Sequence, residues 1–269
     1  MIQIGILGCG TIGSALAKAV LKKFSDKAHL RYVSDHHPDQ ISKLRKQLKG
    51  ANFKAVSISE LVRKSDFIIE AASVKASEKV VPLVLLAGKE ILVLSVGGIL
   101  KIKNLPNLLN HSKGRVYVPS GGIAGIDAVL GAKNGGIKSV RITTRKPLKS
   151  LRQAPFFIRK GFQAQKIKKP TLIFEGDALK AIENFPENVN VAATLSLAGI
   201  GPRKTRIRIY TSPTYHYNMH EIEIRGGYGR IMTQVINLPS KENSKTSALA
   251  IGSAIATLEK ILSQIKIGT

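Results

Sequence analysis

The sequence predicts an α/β protein in two parts: an N-terminal, doubly wound parallel sheet, then an α+β domain on an open mixed or antiparallel sheet. Three observations predict it. Short apolar runs alternate with helix-period segments over the first third of the chain, and a glycine-rich turn joins the first run to the first helix. The middle of the chain, by contrast, is mostly strand-like, with only two good helical stretches.

In the first third, strands are expected at residues 2–7, 30–34, 53–56, 67–70 and 91–96, with helices near 12–24, 40–49, 59–64 and 76–86. Each strand is short and rich in Ile, Val, Leu or Phe, as strands covered on both faces are. Further strand-like runs stand at 115–118, 139–144, 171–174, 205–211, 220–225 and 228–235, around helices at 177–184 and 190–198. The tail 246–265 sets Leu249, Ile251, Ile255, Leu258, Leu262 and Ile265 at helical spacing, which makes one amphipathic helix. The expected division is 1–117, 118–244, and a terminal helix within 245–269 that packs back on the first domain.

Composition narrows the class. The chain of 269 residues is long enough for one large core or two small ones. No apolar run approaches the roughly 18–20 residues that span a bilayer, so no membrane partner is expected. The apolar N-terminus has no Lys or Arg ahead of it and is broken by Gly5, Gly8, Gly10 and Gly13, which argues against a cleavable signal peptide. One cysteine, Cys9, excludes an internal disulfide framework and a Cys-rich metal site. A reducing, cytoplasmic location is expected. His36 and His37 are adjacent rather than facing, and no His or Cys pair has metal-ligand spacing, so no metal is expected.

The charge is uneven. Lys and Arg number 42 against 17 Asp and Glu, a net +25, and residues 128–174 hold twelve basic residues and no acid. That balance suits a polyanion, a small anionic substrate or a solvated surface. Phe156, Phe157 and Phe162 lie in the block and can stack on bases. However, the chain has no helix-turn-helix, zinc-finger or RNP-like motif, so no specific nucleic acid is expected. A basic nucleic-acid-binding or regulatory protein remains the reading from a different class.

The motif Gly8-Cys9-Gly10-Thr11-Ile12-Gly13 follows a predicted strand and opens a predicted helix. The first glycine permits the tight bend, the second a close backbone approach to a pyrophosphate, and the third close helix–strand packing. The helix start, including Thr11 and Ile12, offers N–H groups to the phosphates. Asp35 stands at the end of the second strand, 22 residues beyond Gly13, where a carboxylate binds adenosine ribose hydroxyls. This is a Rossmann-type dinucleotide site. The carboxylate repels a 2′-phosphate and so favours NAD, while His36 and His37 can tolerate one, which leaves NADP possible.

Several blocks in order resemble the L-aspartate dehydrogenase family: Ile69-Glu70-Ala71-Ala72-Ser73, Ser95-Val96-Gly97-Gly98, Pro119-Ser120-Gly121-Gly122-Ile123-Ala124-Gly125-Ile126-Asp127, and Thr144-Arg145-Lys146-Pro147. Ile173-Phe174-Glu175-Gly176, the run from Phe185 to Ala193, Asn218-Met219-His220-Glu221-Ile222 and Lys245-Thr246-Ser247 follow. The resemblance implies NAD(P)-dependent oxidation of L-aspartate to iminosuccinate, which hydrolyses to oxaloacetate and ammonia or feeds NAD biosynthesis. It implies His220 as the active-site residue, and cofactor contacts from Ala72, Ser73, Gly122, Ala124 and Asn190. Substrate contacts fall to Asn218, Lys245, Thr246 and Ser247, and a homodimer is expected. The sequence departs from the family at Ser212-Pro213, where Asp-Pro is common, and at Ser244, where Pro is common.

The residues also speak without the family. Oxidising an amino acid at Cα needs a base that titrates near neutral pH and cationic donors for carboxylates. His220 has the reference pKa for the first, about 6.5, and its role is either to deprotonate the ammonium group or to activate water. His29, His36, His37, His111 and His216 compete on residue type alone, and the block around His220 sets it apart. Arg145 and Lys146 follow a predicted strand, and residues 245–247 open the last helix, so both places offer groups for carboxylates. Another two-domain nicotinamide enzyme, such as a homoserine dehydrogenase or a dihydrodipicolinate reductase, would share the first domain but not the His220 and Asn190 blocks.

Overall fold

The computed structural model describes residues 1–159, 166–186, 189–240, 242–243 and 246–268. Lys245 lies outside the described residues, as do Lys160, Phe162, Glu187, Asn188 and Ser244. The chain divides into two units, Met1–Pro119 with Ile251–Lys266, and Ser120–Ala250 with Ile267–Thr269.

The first unit holds six strands: β1 (Ile2–Leu7), β2 (Ala28–Ser34), β3 (Lys54–Ala55), β4 (Phe67–Glu70), β5 (Glu90–Val93) and β6 (Val116–Tyr117). All pair in parallel in the order β3-β2-β1-β4-β5-β6. This is the doubly wound order, and the chain reverses direction across the sheet between β1 and β4. The helix Ile58–Lys64 starts on Ser57, whose hydroxyl accepts from Glu60 N, and Val74–Leu86 starts on Ser73, which accepts from Ala76 N. The core gathers Ile4 and Ile6 of β1, Leu16 and Val20 of the first helix, and Ala254 and Leu258 of the last helix, Ala248–Leu262. Each such aliphatic side chain withdrawn from water contributes about 1.5–3 kcal/mol.

The second unit holds β7 (Ile137–Pro147), β8 (Thr171–Asp177), β9 (Thr205–Ser212), β10 (Asn218–Gly226) and β11 (Gly229–Asn237) in the order β11-β10-β7-β9-β8. The β7–β9 pair is parallel and the other three are antiparallel, so the sheet is mixed, as expected. Register gives it two chemically distinct faces. One carries Val140, Ile142, Ile207, Ile222 and Ile224, all buried, and receives the helix Asn190–Ala198. The other carries Arg141, Arg145, Arg208, Glu221 and Glu223, paired across strands.

Some boundaries differ from the sequence reading, each for a physical reason. Only Lys54 and Ala55 pair with β2, so the run expected at 53–56 is a two-residue edge strand. The run expected at 91–96 leaves the sheet at Val93 and turns into a short 3₁₀ segment, Val96–Lys101. The helices Leu105–His111, Ile126–Ala132, Leu148–Leu151 and Pro155–Arg159 were not expected, because segments of seven residues or fewer display at most two turns of a helical period. The run at 115–118, grouped by sequence with the middle of the chain, joins the first sheet beside β5. Among the described residues, no helix is long and apolar enough to cross a membrane.

Candidate functional site

At the switch between β1 and β4, backbone geometry dictates the glycines. Gly8 has φ +97°, and a Cβ there would stand 2.6 Å from the Ala71 carbonyl. Leu7 pairs with Glu70, so the chain after β1 runs directly against the chain after β4. A Cβ on Gly13 would lie 1.9 Å from the Gly8 carbonyl oxygen, which closes helix onto strand. A Cβ on Gly10 would meet nothing within 4 Å, which leaves open space in front of the helix Thr11–Lys22. Unlike the two Ser-capped helices, that helix has no side-chain cap and no acid in its first turn. Thr11, Ile12 and Gly13 therefore begin a positively polarised end suited to an anion.

Asp35 follows β2, where its Oδ2 accepts from Cys9 N at 2.6 Å and its Oδ1 from His37 N at 2.8 Å. The carboxylate is thus fixed beside the glycine turn. Burial, with the Asp35 charge second, pushes the Cys9 thiol up to about 12, so it stays neutral there. Glu70, fully buried at the end of β4, accepts from Ala72 N, Ser73 N and Ser95 N. Burial pushes its carboxyl up, opposed by those three donors. It ties the loop after β4 to the loop after β5, and Ala72 and Ser73 owe their placement to it. This open, uncapped, anion-seeking turn with a fixed carboxylate alongside fits a dinucleotide.

In the second unit, His220 of β10 is 5% exposed and lies opposite Thr144 of β7, with Thr144 Oγ1 and His220 Nδ1 3.0 Å apart. Lys146, two residues along β7 on the same face, is 7% exposed, and Thr211 of β9 hydrogen-bonds to its carbonyl. Burial, then the Lys146 charge, pushes the His220 imidazole down to about 3. Burial pushes the Lys146 ammonium down to about 8. The near-neutral titration expected for His220 is corrected accordingly: in the free protein the ring is held neutral by desolvation and a cationic neighbour.

Asn237 at the end of β11 pairs with Asn218 and is 2% exposed. Its Nδ2 donates to the Gly122 carbonyl and its Oδ1 accepts from Ser247 Oγ, at 2.8 and 3.1 Å. Ser247 also accepts from Ala250 N, and Thr246 N donates to Asn243 O. The sequence blocks of Gly122 and Ser247 therefore meet at the Asn237 side chain, with Asn218 its partner in the strand ladder. A cavity of about 160 Å³ opens against Asn218 and Asn237, bounded also by Pro147, Ser150, His216 and Pro239. The Ala124 carbonyl accepts from Thr233 Oγ1, and Asn190 opens the helix Asn190–Ala198. Lys245 is outside the described residues.

The sequence reading missed Asn237, quoted Thr144 only as a member of a family block, and named Lys146, with Arg145, as a candidate group for carboxylates. Asn237 carried a signal: it is the amide-bearing member of the inward phase Ile231, Thr233, Val235, Asn237. Thr144 stood in a family block, but its place beside His220 depends on strand pairing. Among the described residues, no group of three or more His, Cys, Asp or Glu side chains could hold a metal ion.

Residues 127–261 match the family model described as "Aspartate dehydrogenase, C-terminal", and residues 8–119 match the one described as "Homoserine dehydrogenase, NAD binding domain". The chain is 44% identical to the L-aspartate dehydrogenase of Methanosarcina barkeri and 42% identical to that of Methanosarcina mazei, over all of both chains in each case. Among solved structures, an aspartate dehydrogenase from Thermotoga maritima is 26% identical, with a TM-score of 0.73 over the whole of both chains.

Proposed function

The chain belongs to the L-aspartate dehydrogenase family, and from that premise we propose that it catalyses NAD(P)-dependent oxidative deamination of L-aspartate to iminosuccinate, which hydrolyses to oxaloacetate and ammonia. The observation that carries this reading is the buried His220–Thr144–Lys146 cluster. It places a neutral imidazole beside a cation on a face that is otherwise apolar or uncharged. The homoserine dehydrogenase alternative is disfavoured because that model matches only 8–119.

When bound, the dinucleotide supplies the acceptor for the hydride that leaves Cα. The chain's own residues do the rest. Thr144 engages Nδ1 and fixes the ring; in the tautomer in which Nδ1–H donates to Thr144 Oγ1, Nε2 is the nitrogen that takes up a proton, either from the substrate ammonium or from the water that adds to the imine. Two substrate carboxylates bring negative charge to this face and raise the basicity of a ring that Lys146 otherwise lowers. Gly8, Gly10, Thr11, Ile12, Gly13, Ala72 and Ser73 of the first unit are assigned to the cofactor, as are Gly122, Ala124 and Asn190 of the second. Asn218, Thr246 and Ser247, together with Lys245, hold substrate.

Purified protein with NAD and L-aspartate is expected to produce NADH absorbance, with little from L-glutamate or L-homoserine; absence of signal with both NAD and NADP would remove this reading. Asp35 supports a preference for NAD. Asp35→Ser is expected to shift the NADP-to-NAD ratio of kcat/KM by roughly 10- to 100-fold, the effect of relieving one close charge repulsion. An unchanged ratio would show that Asp35 does not read the ribose.

We place the reaction in the cytoplasm as a source of iminosuccinate for NAD biosynthesis, as the family resemblance implies. The assembly is a homodimer through the charged sheet face, where Met232 and Ile236 stand 54% and 56% exposed between paired charges. Sedimentation at twice the chain mass is the expected readout.

A further inference from the structure

Among the described residues Glu70 is the one acid that is wholly buried, and the reaction proposed above gives it no part. It ends β4, at the switch between β1 and β4. Its Oε1 accepts from Ala72 N and Ser73 N at 2.9 and 3.1 Å, and its Oε2 from Ser95 N at 3.0 Å. Ala72 and Ser73 are exposed residues, yet both N–H groups turn inward to this carboxylate. The Ser73 hydroxyl, whose oxygen accepts from Ala76 N, keeps its own proton to donate. The neighbouring backbone leaves these loops little slack. A Cβ on Gly8 would meet the Ala71 carbonyl oxygen at 2.6 Å, and a Cβ on Gly98 would meet Val74 O at 2.4 Å and Ser77 Cβ at 2.6 Å. The glycine turn, the loop after β4 and the segment after β5 thus abut in series, and one buried carboxylate bonds to the last two.

We propose that Glu70 is a positioning residue for the nicotinamide half of the dinucleotide, its carboxylate holding the ends of β4 and β5 in the required shape before the cofactor arrives. This rests on the dinucleotide site proposed above, but not on the L-aspartate reaction. In a doubly wound sheet each side of the switch serves one mononucleotide. Asp35, at the end of β2, serves the adenosine side, and β4 and β5 stand on the other. Without the carboxylate, three N–H groups must find other partners, the two loops relax toward water, and binding has to restore them. Glu70, having no exposed surface, acts through these loops and touches no ligand atom.

Glu70→Gln keeps the volume and replaces one accepting oxygen with an N–H donor, so either the β4 loop or Ser95 faces a donor where it had an acceptor. Titration calorimetry well below the melting temperature is expected to show NAD affinity weakened by about 10- to 100-fold, the size of one buried N–H left unpaired. Affinity for 5′-AMP, which carries only the adenosine half, should stay within about twofold. In turnover the KM for NAD should rise with the loss of affinity, while kcat at saturating NAD holds within about threefold. A merely structural role would lower the melting temperature without this contrast between NAD and AMP. NAD affinity within threefold of wild type, or an equal loss for AMP, would overturn the proposal.

Should Glu70→Gln not fold, hydrogen exchange in the wild-type protein answers alone. The amides of Ala72, Ser73 and Ser95 are expected to exchange slowly in the free protein and as slowly with NAD bound, because Glu70 already holds them. Fast exchange at Ala72 and Ser73 in the free protein, slowed only by NAD, would show that the cofactor orders the loop and would overturn the proposal equally. NAD binding that depends on Glu70 in a protein inert toward L-aspartate would uphold the positioning role while removing the proposed reaction.

Discussion

Changing His220 to Ala is expected to lower kcat for L-aspartate by roughly 10²- to 10⁴-fold, the usual worth of one positioned acid–base group. Dinucleotide affinity should change by less than about twofold, because the glycine turn and Asp35, which we assign to the cofactor, belong to the first unit. Full turnover in the variant would remove the catalytic role. Rapid-mixing kinetics then separate the two proton transfers open to Nε2. Loss of the first turnover places His220 at the substrate ammonium, whereas a wild-type first turnover followed by accumulated imine places it at the water step. Stability supplies a second readout. The imidazole is pushed down to about 3 from an unfolded value near 6.5. Between those values the unfolded chain holds the proton and the folded chain does not, so this group's contribution is intact above pH 6.5 and declines as pH falls toward 3. His220→Asn should therefore flatten the acid side of the stability profile. An unchanged slope would show that the ring is not the titrating group.

The proposed dinucleotide and substrate halves of the candidate residues were unequally legible in the sequence. The dinucleotide half is local: Gly8, Gly10 and Gly13 lie within one turn, Gly8 required by the chain after the neighbouring strand and Gly13 by the Gly8 carbonyl oxygen, while Gly10 leaves room for a ligand. Asp35 follows at the distance that one helix and one strand impose. Sequence order therefore carries the geometry. The substrate half is not local, because β7, β10 and β11 meet only through pairing, and Asn237, Thr144 and Lys146 acquire meaning from register. His220 was marked by the block around it, but its depressed basicity depends on burial and on Lys146, which the sequence alone does not place.

The +25 charge shows the same limit. Read along the chain, residues 128–174 form one basic block. In three dimensions alternate residues of β7 go to opposite faces: Arg141 and Arg145 pair with Glu223 and Glu221, while Lys146 turns inward beside His220. Glu223 is held down to about 2 by Arg225 and then Arg141. Farther on, Lys149, Arg152 and Lys168 line a cavity of about 590 Å³ with Tyr215 and His216. The block is thus several structures of different purpose, and a count over the sequence cannot separate them.

Gly13→Ala and Gly10→Ala, compared directly, are expected to divide the architectural from the ligand-facing requirement in the dinucleotide turn. A Cβ on Gly13 would meet the Gly8 carbonyl oxygen at 1.9 Å, a backbone atom that no rotamer change can remove. The helix Thr11–Lys22 must move off β1, dragging Leu16 and Val20 out of register with Ile4 and Ile6. Overpacking of this kind costs about 1–3 kcal/mol, and a displaced helix start also loses its aim at the phosphates. Thermal unfolding and dinucleotide binding should therefore both suffer in Gly13→Ala. Gly10 differs in each respect. Its φ of −70° suits alanine, and nothing lies within 4 Å of its Cβ direction. Gly10→Ala should keep the wild-type melting temperature, yet weaken NAD binding by roughly tenfold or more if the pyrophosphate approaches the backbone there. Wild-type NAD affinity in Gly10→Ala would place the phosphates elsewhere. The space at Gly10 is kept open by nothing within the free chain, so a loss of affinity without a loss of stability can arise only from a ligand that comes to fill it.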